Sequence, residues 1–324
     1  MRAVVIEHGR VTIGERPDPV PAPGELLVRV EAAGLNRADL IQVAGFYPPP
    51  PGFPVDIPGM ELAGVVTGAG DGCVRFRTGD RVMSIVGGAA QAELALVPEA
   101  TAMAVPGTVG WAEAGGFPEV FITAHDALCT QGALKAGERL LVTGAAGGVG
   151  LAGVQIGALV GATVVASVHR SELRERVATF GAIAIDPADV PGHGPYDVVL
   201  ELVGAANLTS NLLALAMGGR IVVIGVGSGA RGEIDLMQIM SKRATLRGST
   251  LRARSVAEKA AATRLAEHDL VLALGAGSVR VPLEATYPIE AAEAAYERFA
   301  AGGKMGKLVL LPGAAAAEEA TTRS

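Results

Sequence analysis

The chain has 324 residues, of which 27 are Lys or Arg and 33 are Asp or Glu, so its formal net charge is −6. A mildly acidic chain without a long basic run lacks the cations that neutralise phosphates, which excludes a general nucleic-acid binder. Half of the residues are hydrophobic and only two are Cys. We therefore expect a packed chain of two domains, in a reducing, cytoplasmic setting and without a disulfide framework.

Short alternating apolar runs, broken by Gly and Pro, fill residues 1–118; examples are residues 25–30, 61–66 and 80–86. This pattern is typical of a β-rich domain. The run of prolines at 48–51 is interpreted as a rigid connector inside that domain, and the alternative is a ligand for a proline-recognising domain.

From residue 119 to residue 252, strands alternate with helices. Alternating units of this kind predict an α/β fold with a doubly wound parallel sheet. The predicted strands cover residues 140–142, 164–167, 197–202, 220–224 and 245–249. Residues 253–324 are predicted to contain helices at 255–273 and 289–301, a strand at 307–311, and a disordered tail from about residue 313.

The uncharged run 140–168 is long enough to span a bilayer, which gives a membrane segment as an alternative. The run contains seven glycines, and its period changes from strand to helix and back. Such a glycine density disfavours one continuous helix, so we predict no membrane association.

The string Gly144-Ala-Ala-Gly-Gly-Val-Gly150 follows the first of these strands and opens a helix. Glycines at such a turn let the backbone approach a diphosphate, which binds the N–H groups and the positive dipole end of the helix. We predict that Ala146, Gly147, Gly148 and Val149 hold a dinucleotide. The alternative is a glycine-rich turn that only packs the helix on the strand.

The residues after the second strand predict which nicotinamide cofactor is bound. Enzymes that use NAD usually carry Asp or Glu there, against the ribose 2′-hydroxyl. This chain has His169 and Arg170, with Arg174 one helical turn beyond. Guanidinium groups bind a 2′-phosphate that a carboxylate would repel, which favours NADPH. The alternative is that both arginines are solvated residues at the start of a helix.

Seven strings spread in order along the chain carry a resemblance to a known family. They are Ala32-Ala-Gly-Leu-Asn-Arg-Ala-Asp-Leu40, Gly45-Phe-Tyr-Pro-Pro-Pro-Pro51, Pro58-Gly-Met-Glu-Leu-Ala-Gly64, Phe117-Pro-Glu-Val-Phe-Ile-Thr123, Gly144 to Gly150, Gly248-Ser-Thr-Leu-Arg-Ala-Arg254 and Gly306-Lys-Leu-Val309. With them the chain resembles the zinc-free quinone oxidoreductase branch of the medium-chain dehydrogenase/reductase superfamily. The resemblance implies a GroES-like β-rich catalytic domain (1–118), a Rossmann domain (119–252), a return to the first domain (253–324), and a homodimer paired through the last strands of the Rossmann sheets.

The resemblance also bears on metal binding. Zinc-dependent relatives carry Cys in the segment where this chain has Asn36, and Gly-His-Glu where it has Gly59-Met60-Glu61. An amide and a thioether do not supply the thiolate and imidazole ligands that zinc prefers, so we expect no metal. Without a Lewis acid, the favoured acceptor is a conjugated carbonyl compound, because the charge that arrives with a hydride is delocalised onto a remote oxygen.

Residue roles are implied by the resemblance. Related enoyl-thioester reductases place a catalytic Tyr in the segment that holds Tyr47, whose phenol would donate a proton to the reduced acceptor; the alternative is a Tyr that only packs beside the prolines. Asn36 is expected to hold the nicotinamide ribose or the acceptor oxygen, and the alternative is a turn residue. Further cofactor contacts are expected from Thr123, Gly225, Val226, Leu251 and Arg252.

Together these features predict an NADPH-dependent reductase of a small-molecule quinone or enone. One alternative is an enoyl-thioester reductase acting on CoA or carrier-protein substrates. The other is an NADPH-binding sensor or structural protein without turnover.

Overall fold

A computed structural model describes residues 1–313. Cα packing separates the chain into two compact units. Unit 1 combines Met1–Glu119 with the segment that begins at Leu251, and unit 2 is Val120–Thr250. The boundaries predicted from the sequence are 118/119 and 252/253. The predicted disordered tail falls, from residue 314 onward, outside the described residues.

The strands are numbered here in chain order. They are β1 (Arg2–Glu7), β2 (Arg10–Glu15), β3 (Glu25–Gly34), β4 (Glu61–Ala69), β5 (Arg81–Ile85), β6 (Leu94–Pro98), β7 (Ala102–Ala104), β8 (Arg139–Val142), β9 (Thr163–Ser167), β10 (Ile183–Ile185), β11 (Tyr196–Glu201), β12 (Leu215–Val223), β13 (Thr245–Gly248), β14 (Leu283–Pro288) and β15 (Lys307–Leu311).

The α-helices are α1 (Arg37–Val43), α2 (Trp111–Gly116), α3 (Pro118–His125), α4 (Gly148–Val160), α5 (Ser171–Ala178), α6 (Leu208–Leu213), α7 (Leu236–Lys242), α8 (Val256–Gly275) and α9 (Ala292–Ala300). A π-helical segment, Asp126–Gln131, continues α3. Within residues 1–313, no helix is both long and apolar enough to cross a membrane.

Unit 2 is built on a six-stranded parallel sheet with the order β10-β9-β8-β11-β12-β13. Numbered within the unit, this is 3-2-1-4-5-6, the order of Rossmann dinucleotide-binding sheets, in which ligands bind beyond the carboxyl ends of the strands where the order reverses. The strands form because their apolar, β-branched residues are buried on both faces; Leu141, Val165 and Val199 lie in this core. The predicted fold class is confirmed.

Helix α4 lies directly against this sheet. A Cβ atom at Gly153 would lie 2.6 Å from the side chain of Leu200, and one at Gly157 would lie 2.6 Å from that of Leu140. A larger residue at either position would force these leucine side chains or the helix to shift, so the two glycines allow α4 to lie this close to the sheet.

Unit 1 contains a mainly antiparallel sheet with the order β14-β15-β3-β4-β5-β7, and β6 also pairs with β3. The C-terminal segment completes it, because β15 pairs with β3 and carries β14 in parallel. Its core contains Leu26, Val28, Leu62 and Val82. The C-terminal strand β15 therefore lies in the interior of this sheet, between β14 and β3.

Candidate functional site

The glycine turn joins β8 to α4 at the carboxyl end of the sheet in unit 2. Gly144 has φ +58°, a conformation that favours glycine, and the N–H group of Ala145 donates to the carbonyl of Ser167 at 3.2 Å. Gly147 precedes the first helical residue, Gly148. An α-helix leaves the N–H groups of its first turn without intrahelical acceptors, so the geometry of this turn suits an anion.

Part of the turn is accessible to a ligand. Ala146–Val149 are partly exposed, whereas the flanking residues Ala145 and Gly150 are buried. A Cβ atom at Gly150 would lie 2.6 Å from the Cα atom of Ala145, while one at Gly147 would meet no atom closer than 3.6 Å. Gly150 is thus required for the backbone to fold back on itself, and Gly147 leaves open the surface that a ligand would approach.

The loops after β11 and β12 flank the turn. The buried carboxylate of Glu201 accepts hydrogen bonds from the N–H groups of Val203 (2.6 Å) and Gly204 (2.7 Å). Gly225 approaches the other loop so closely that a Cβ atom there would lie 2.3 Å from the carbonyl oxygen of Leu202. Val226, which follows, is half exposed. The structure therefore brings two of the expected cofactor residues, Gly225 and Val226, to the carboxyl edge of the sheet.

The predicted phosphate-binding cations follow β9 at the same edge. His169 and Arg170 are exposed, and Nε of Arg170 donates to Glu172 at 2.6 Å. The guanidinium of Arg174 donates to the carbonyl of Val168 at 3.0 Å and forms an ion pair with Asp186, not with a neighbour on its own helix. Partly exposed ion pairs contribute little, so a phosphate dianion can replace these carboxylates as the partner.

The remaining expected cofactor residues lie apart from one another along the chain. Thr123 is a partly exposed residue of α3 in unit 2. Leu251 and Arg252 are buried residues of unit 1. The burial of Arg252 was not expected from the sequence.

Arg252 holds Tyr47 in place. Its guanidinium donates to three acceptors, namely the carbonyls of Gly87 and Tyr47, both at 3.0 Å, and the side chain of Gln42 at 2.5 Å. The guanidinium carbon also lies 4.9 Å from the centroid of the Tyr47 ring. No hydrogen bond engages the Tyr47 hydroxyl within residues 1–313, so the phenol that the sequence singled out remains available as a donor.

Asn36 belongs to a buried cluster of polar side chains in unit 1. Its Nδ2 atom donates to the carboxylate of Glu61 at 2.8 Å. The ammonium of Lys307 donates to Oδ1 of Asn36 and to the carbonyl of Leu35, both at 2.8 Å, and it also contacts Glu61. Lys307 is 2% exposed and Glu61 is fully buried. Both polar atoms of the Asn36 side chain are therefore committed inside the protein.

The same cluster fits zinc poorly. The oxygens of Asn36 and Glu61 face an ammonium ion, which already supplies the positive charge at this place, and Met60 offers only a buried thioether. Within the described part of the chain, no three His, Cys, Asp or Glu side chains are placed to hold a metal ion. The donor set thus departs from what zinc requires.

Two further carboxyl groups of unit 1 have altered acidity. Burial raises the pKa of Asp39 to about 6, although this carboxyl accepts hydrogen bonds from the N–H groups of Asn36 (2.8 Å) and Gly59 (3.2 Å). Burial of its carboxyl, followed by repulsion from Glu61, raises the pKa of Glu119 to about 8. The raised pKa favours the protonated form of Glu119 at pH 7, and its backbone N–H donates to Glu61 at 2.8 Å.

Sequence reasoning missed three charged residues of unit 1 that lie wholly or partly out of solvent, namely Lys307, Glu119 and Lys259. Signals for two of them were present. Lys307 begins an otherwise apolar strand, and Lys259 lies three and seven residues before Ala262 and Ala266 on the buried face of α8. A charged residue at a buried position of an apolar periodic pattern indicates a buried charge. The altered pKa of Glu119 depends on residues that are distant in the sequence, so no local pattern indicates it.

Two family models match the chain. The model described as "Alcohol dehydrogenase GroES-like domain" matches residues 22–133, and the one described as "Zinc-binding dehydrogenase" matches residues 161–310. The first match confirms the expected GroES-like domain.

Known proteins match over nearly the whole length. The quinone oxidoreductase of Lama guanicoe is 32% identical over 310 residues, which is 90% of this chain and 90% of the relative. The human quinone oxidoreductase is 31% identical and covers 90% of this chain and 91% of its own. The crystal structure of an alcohol dehydrogenase superfamily protein from Novosphingobium aromaticivorans superposes with a TM-score of 0.85 at 28% identity, over 97% of this chain and 100% of its own.

Proposed function

Because the chain belongs to the zinc-free quinone oxidoreductase branch of the medium-chain dehydrogenase/reductase superfamily, an oxidoreductase family that uses a nicotinamide cofactor, we propose that it is an NADPH-dependent reductase of small quinones or enones. The observation that carries this proposal is the turn from Gly144 to Gly150, whose first helical turn and close backbone approach suit a dinucleotide diphosphate. The buried Lys307–Glu61 pair beside Asn36, a set that fits zinc poorly, favours a conjugated acceptor over a simple alcohol.

The cofactor would be held by the N–H groups and surfaces of Ala146–Val149, with Gly225 and Val226 on one side. Bound there, nicotinamide supplies a hydride to the acceptor, which takes up one proton to complete the two-electron reduction. The protein's task is to hold both partners and to place polar groups where negative charge develops on the acceptor oxygen.

The preference for NADPH is supported by the cations after β9. His169, Arg170 and Arg174 stand at the strand end next to the glycine turn in the sheet order, and no Asp or Glu occupies positions 168–171. Arg174 has its Nε fixed by the carbonyl of Val168, which orients the fork of the guanidinium. A 2′-phosphate would exchange with the carboxylates of Glu172 and Asp186 as the partner of these arginines.

Tyr47 is the proposed proton donor to the acceptor. The support is its fixed position against Arg252 together with a hydroxyl that has no hydrogen-bond partner in the described residues. Asn36 acts indirectly in this account, because its amide is bonded to Glu61 and Lys307.

A homodimer through the edge of the Rossmann sheet also belongs to the proposal. All four residues of the edge strand β13 are exposed, and its Leu246 is 38% exposed. Met237 and Met240 of the neighbouring helix α7 are each about two-thirds exposed (65% and 68%). An exposed strand edge beside apolar side chains is a template for pairing with a second copy.

The experiment is NADPH oxidation by 1,4-benzoquinone, 2-cyclohexenone and crotonyl-CoA. We expect turnover with the first two. Tyr47→Phe should lower kcat roughly 10²-fold, because general acid catalysis contributes about that much. Tyr287 is another partly buried tyrosine of unit 1, so Tyr287→Phe is the matched control. Preference for crotonyl-CoA would instead identify an enoyl-thioester reductase, and tight NADPH binding without turnover would identify a sensor or structural protein.

A further inference from the structure

The segment of unit 1 that carries Tyr47 is a loop between α1 and β4. Residues 44–55 of this segment belong to no helix or strand, and we call them the tyrosine loop. The loop turns back at residues 50–53, where the N–H group of Phe53 donates to the carbonyl of Pro50 at 3.3 Å. Such a loop has two arms, which keep a fixed position only through the contacts that their surroundings supply.

Arg252 holds the first arm of the tyrosine loop. Its Nη1 atom donates to the carbonyl of Tyr47 at 3.0 Å, and its guanidinium carbon lies 4.9 Å from the centroid of the Tyr47 ring. The backbone and the ring of one residue are thus held by the same cation. Arg252 is only 5% exposed, so water competes little for these contacts.

Gln42 of α1 extends the contact to the second arm. Its Oε1 atom accepts a hydrogen bond from Nη2 of Arg252 at 2.5 Å, and its Nε2 atom donates to the carbonyl of Val55 at 3.2 Å. Gln42 is itself 5% exposed. The guanidinium therefore reaches both arms of the loop, directly at Tyr47 and through Gln42 at Val55.

The third acceptor of Arg252 lies against the turn of the loop. Nε donates to the carbonyl of Gly87 at 3.0 Å. A Cβ atom at Gly87 would lie 2.4 Å from the ring of Phe53, and one at Gly88 would lie 3.3 Å from the side chain of Pro49. The turn thus packs directly on the segment that Arg252 also binds.

The three acceptors of Arg252 are all neutral. Within residues 1–313 its guanidinium forms no ion pair with a carboxylate, and each of its three nitrogens donates to a carbonyl or an amide oxygen. A buried cation without a counter-ion costs desolvation energy, so its contacts with the tyrosine loop give a reason for its presence. The resemblance implied a cofactor contact for Arg252, whereas the structure directs its donors to the loop and its support.

We propose that Arg252 and Gln42 are positioning residues that hold both arms of the tyrosine loop and so fix the place of the Tyr47 phenol, and that Arg252 does not bind the cofactor. This inference rests on the proposed function for the role of Tyr47 as a proton donor. Loss of either positioning residue should release the loop while the core of unit 1 stays folded.

Limited proteolysis by chymotrypsin tests the release of the loop without any turnover. Cleavage after Phe46, an 83% exposed loop residue, reports release, and cleavage after Tyr296, which is 5% exposed, reports unfolding of unit 1. Arg252→Gln and Gln42→Met should each speed cleavage after Phe46 by about tenfold or more, because a hydrogen bond from a charged donor contributes that much. Cleavage after Tyr296 should keep the rate of the parent. Arg77→Gln, at an exposed arginine of unit 1, is the control and should change neither rate.

Two results of the proteolysis would overturn the inference. One is cleavage after Phe46 at the same rate in the parent and in both variants. The other is faster cleavage after Phe46 only together with faster cleavage after Tyr296 in both variants, because this would show general unfolding. If Arg252→Gln does not fold, Gln42→Met decides alone.

Reduction of 1,4-benzoquinone separates positioning from cofactor binding. Arg252→Gln should lower kcat by about tenfold or more and leave the Kd of NADPH unchanged. It should have no further effect in a Tyr47→Phe background, since residues that act through one another are not additive. Weaker NADPH binding by a folded Arg252→Gln would identify a cofactor contact and refute the assignment. An equal loss of kcat in the Tyr47→Phe background would refute the positioning of Tyr47.

The outcomes distinguish this inference from the proposed function. Benzoquinone reduction by the parent, combined with cleavage after Phe46 that depends on neither Arg252 nor Gln42, would refute only the positioning role. Cleavage that depends on both residues, in a protein that reduces no quinone or enone, would support their hold on the loop and refute the proposed reaction.

Discussion

The ammonium of Lys307 lies 2.8 Å from the Oδ1 atom of Asn36, at the position where zinc-dependent relatives would carry a metal ligand. The strand β15 thereby brings a cation from the C-terminal end of the described chain to a segment near residue 36. The cation that faces Asn36 is thus a fixed charge of the protein, and its energetic role is open to measurement.

Loss of the Lys307 ammonium should destabilise unit 1. Lys307→Met leaves the buried carboxylate of Glu61 without its counter-ion, and breaking a buried pair in this way costs about 3–5 kcal/mol. Urea unfolding followed by Trp111 fluorescence measures the loss. Lys135→Met, at an exposed site, should stay within about 0.5 kcal/mol of the parent.

The double variant Lys307→Met/Glu61→Gln distinguishes a lost ion pair from lost packing. Neutralising the stranded carboxylate should restore part of the free energy of unfolding. A double variant that is no more stable than Lys307→Met would show that the carboxylate was not the source of the cost.

Two glycines of the turn should respond differently to alanine. Gly150→Ala places its Cβ 2.6 Å from the Cα atom of Ala145, so it should destabilise unit 2 by roughly 1–3 kcal/mol, as overpacking does. Gly147→Ala meets nothing closer than 3.6 Å and should leave stability nearly unchanged while weakening NADPH binding. Thermal unfolding and a fluorescence titration with NADPH give both quantities. Gly192 lies in open space of the same unit, so Gly192→Ala should alter neither the stability nor the binding of NADPH. Unimpaired NADPH binding by Gly147→Ala would argue against the turn as the diphosphate site.

The protonated state of Glu119 predicts a pH dependence. The pKa of Glu119 is about 8 in the folded protein, against the ordinary value of 4.5 in the unfolded chain. Between pH 4.5 and pH 8 the folded state therefore holds a proton that the unfolded state has released. The free energy of unfolding should therefore fall as pH rises from about 4.5 to 8, by at most about 1.4 kcal/mol per pH unit from this group. Glu119→Gln stays neutral and should lose that slope, which makes it more stable than the parent at pH 8.

Denaturant unfolding at pH 5, 6, 7 and 8 checks this slope. Glu297→Gln, an exposed glutamate of unit 1, is the control and should keep the slope of the parent. The pKa of Asp39, raised by burial to about 6, adds a smaller contribution of the same sign at lower pH. An unchanged slope in Glu119→Gln would mean that Glu119 ionises normally.

Most of the fold was predictable because it depends on local patterns. The strands of unit 2 are short apolar runs, and the structure places β8, β9, β11 and β13 within one residue of their predicted ends. β12 extends five residues further back, to Leu215, and the short strand β10 was missed because Ile183–Ile185 is too brief to show a period. Helix boundaries shifted by one to three residues, as at α8 and α9.

The site was predictable only in part. The glycine turn has a local signature, so its position followed from the sequence. The partners of Asn36 and Arg252 did not, because Lys307 is 271 residues from Asn36, and Gly87 is 165 residues from Arg252. Hydrogen bonds between such distant residues depend on the tertiary fold, and no spacing rule reports them.

The exposed edge of the Rossmann sheet should govern assembly. Leu246→Asp on β13 places a charge on the proposed strand pairing and should convert a dimer to a monomer, as measured by light scattering after size-exclusion chromatography. Leu272→Asp, at an 83% exposed leucine of α8, is the control and should leave the dimer intact. A dimer that survives Leu246→Asp would place the interface elsewhere.

The most direct measurement is kcat/KM for NADPH and for NADH, with 1,4-benzoquinone as the acceptor, in the parent and in Arg170→Ala/Arg174→Ala. The exposed arginine Arg176 of the same helix supplies the control, Arg176→Ala. We predict that the parent prefers NADPH by about tenfold or more, since a charge-assisted contact to phosphate is worth roughly 1.5–3 kcal/mol, and that the double variant loses this preference while its value for NADH is unchanged. Equal use of NADH and NADPH by the parent, or no oxidation of either, would contradict the account.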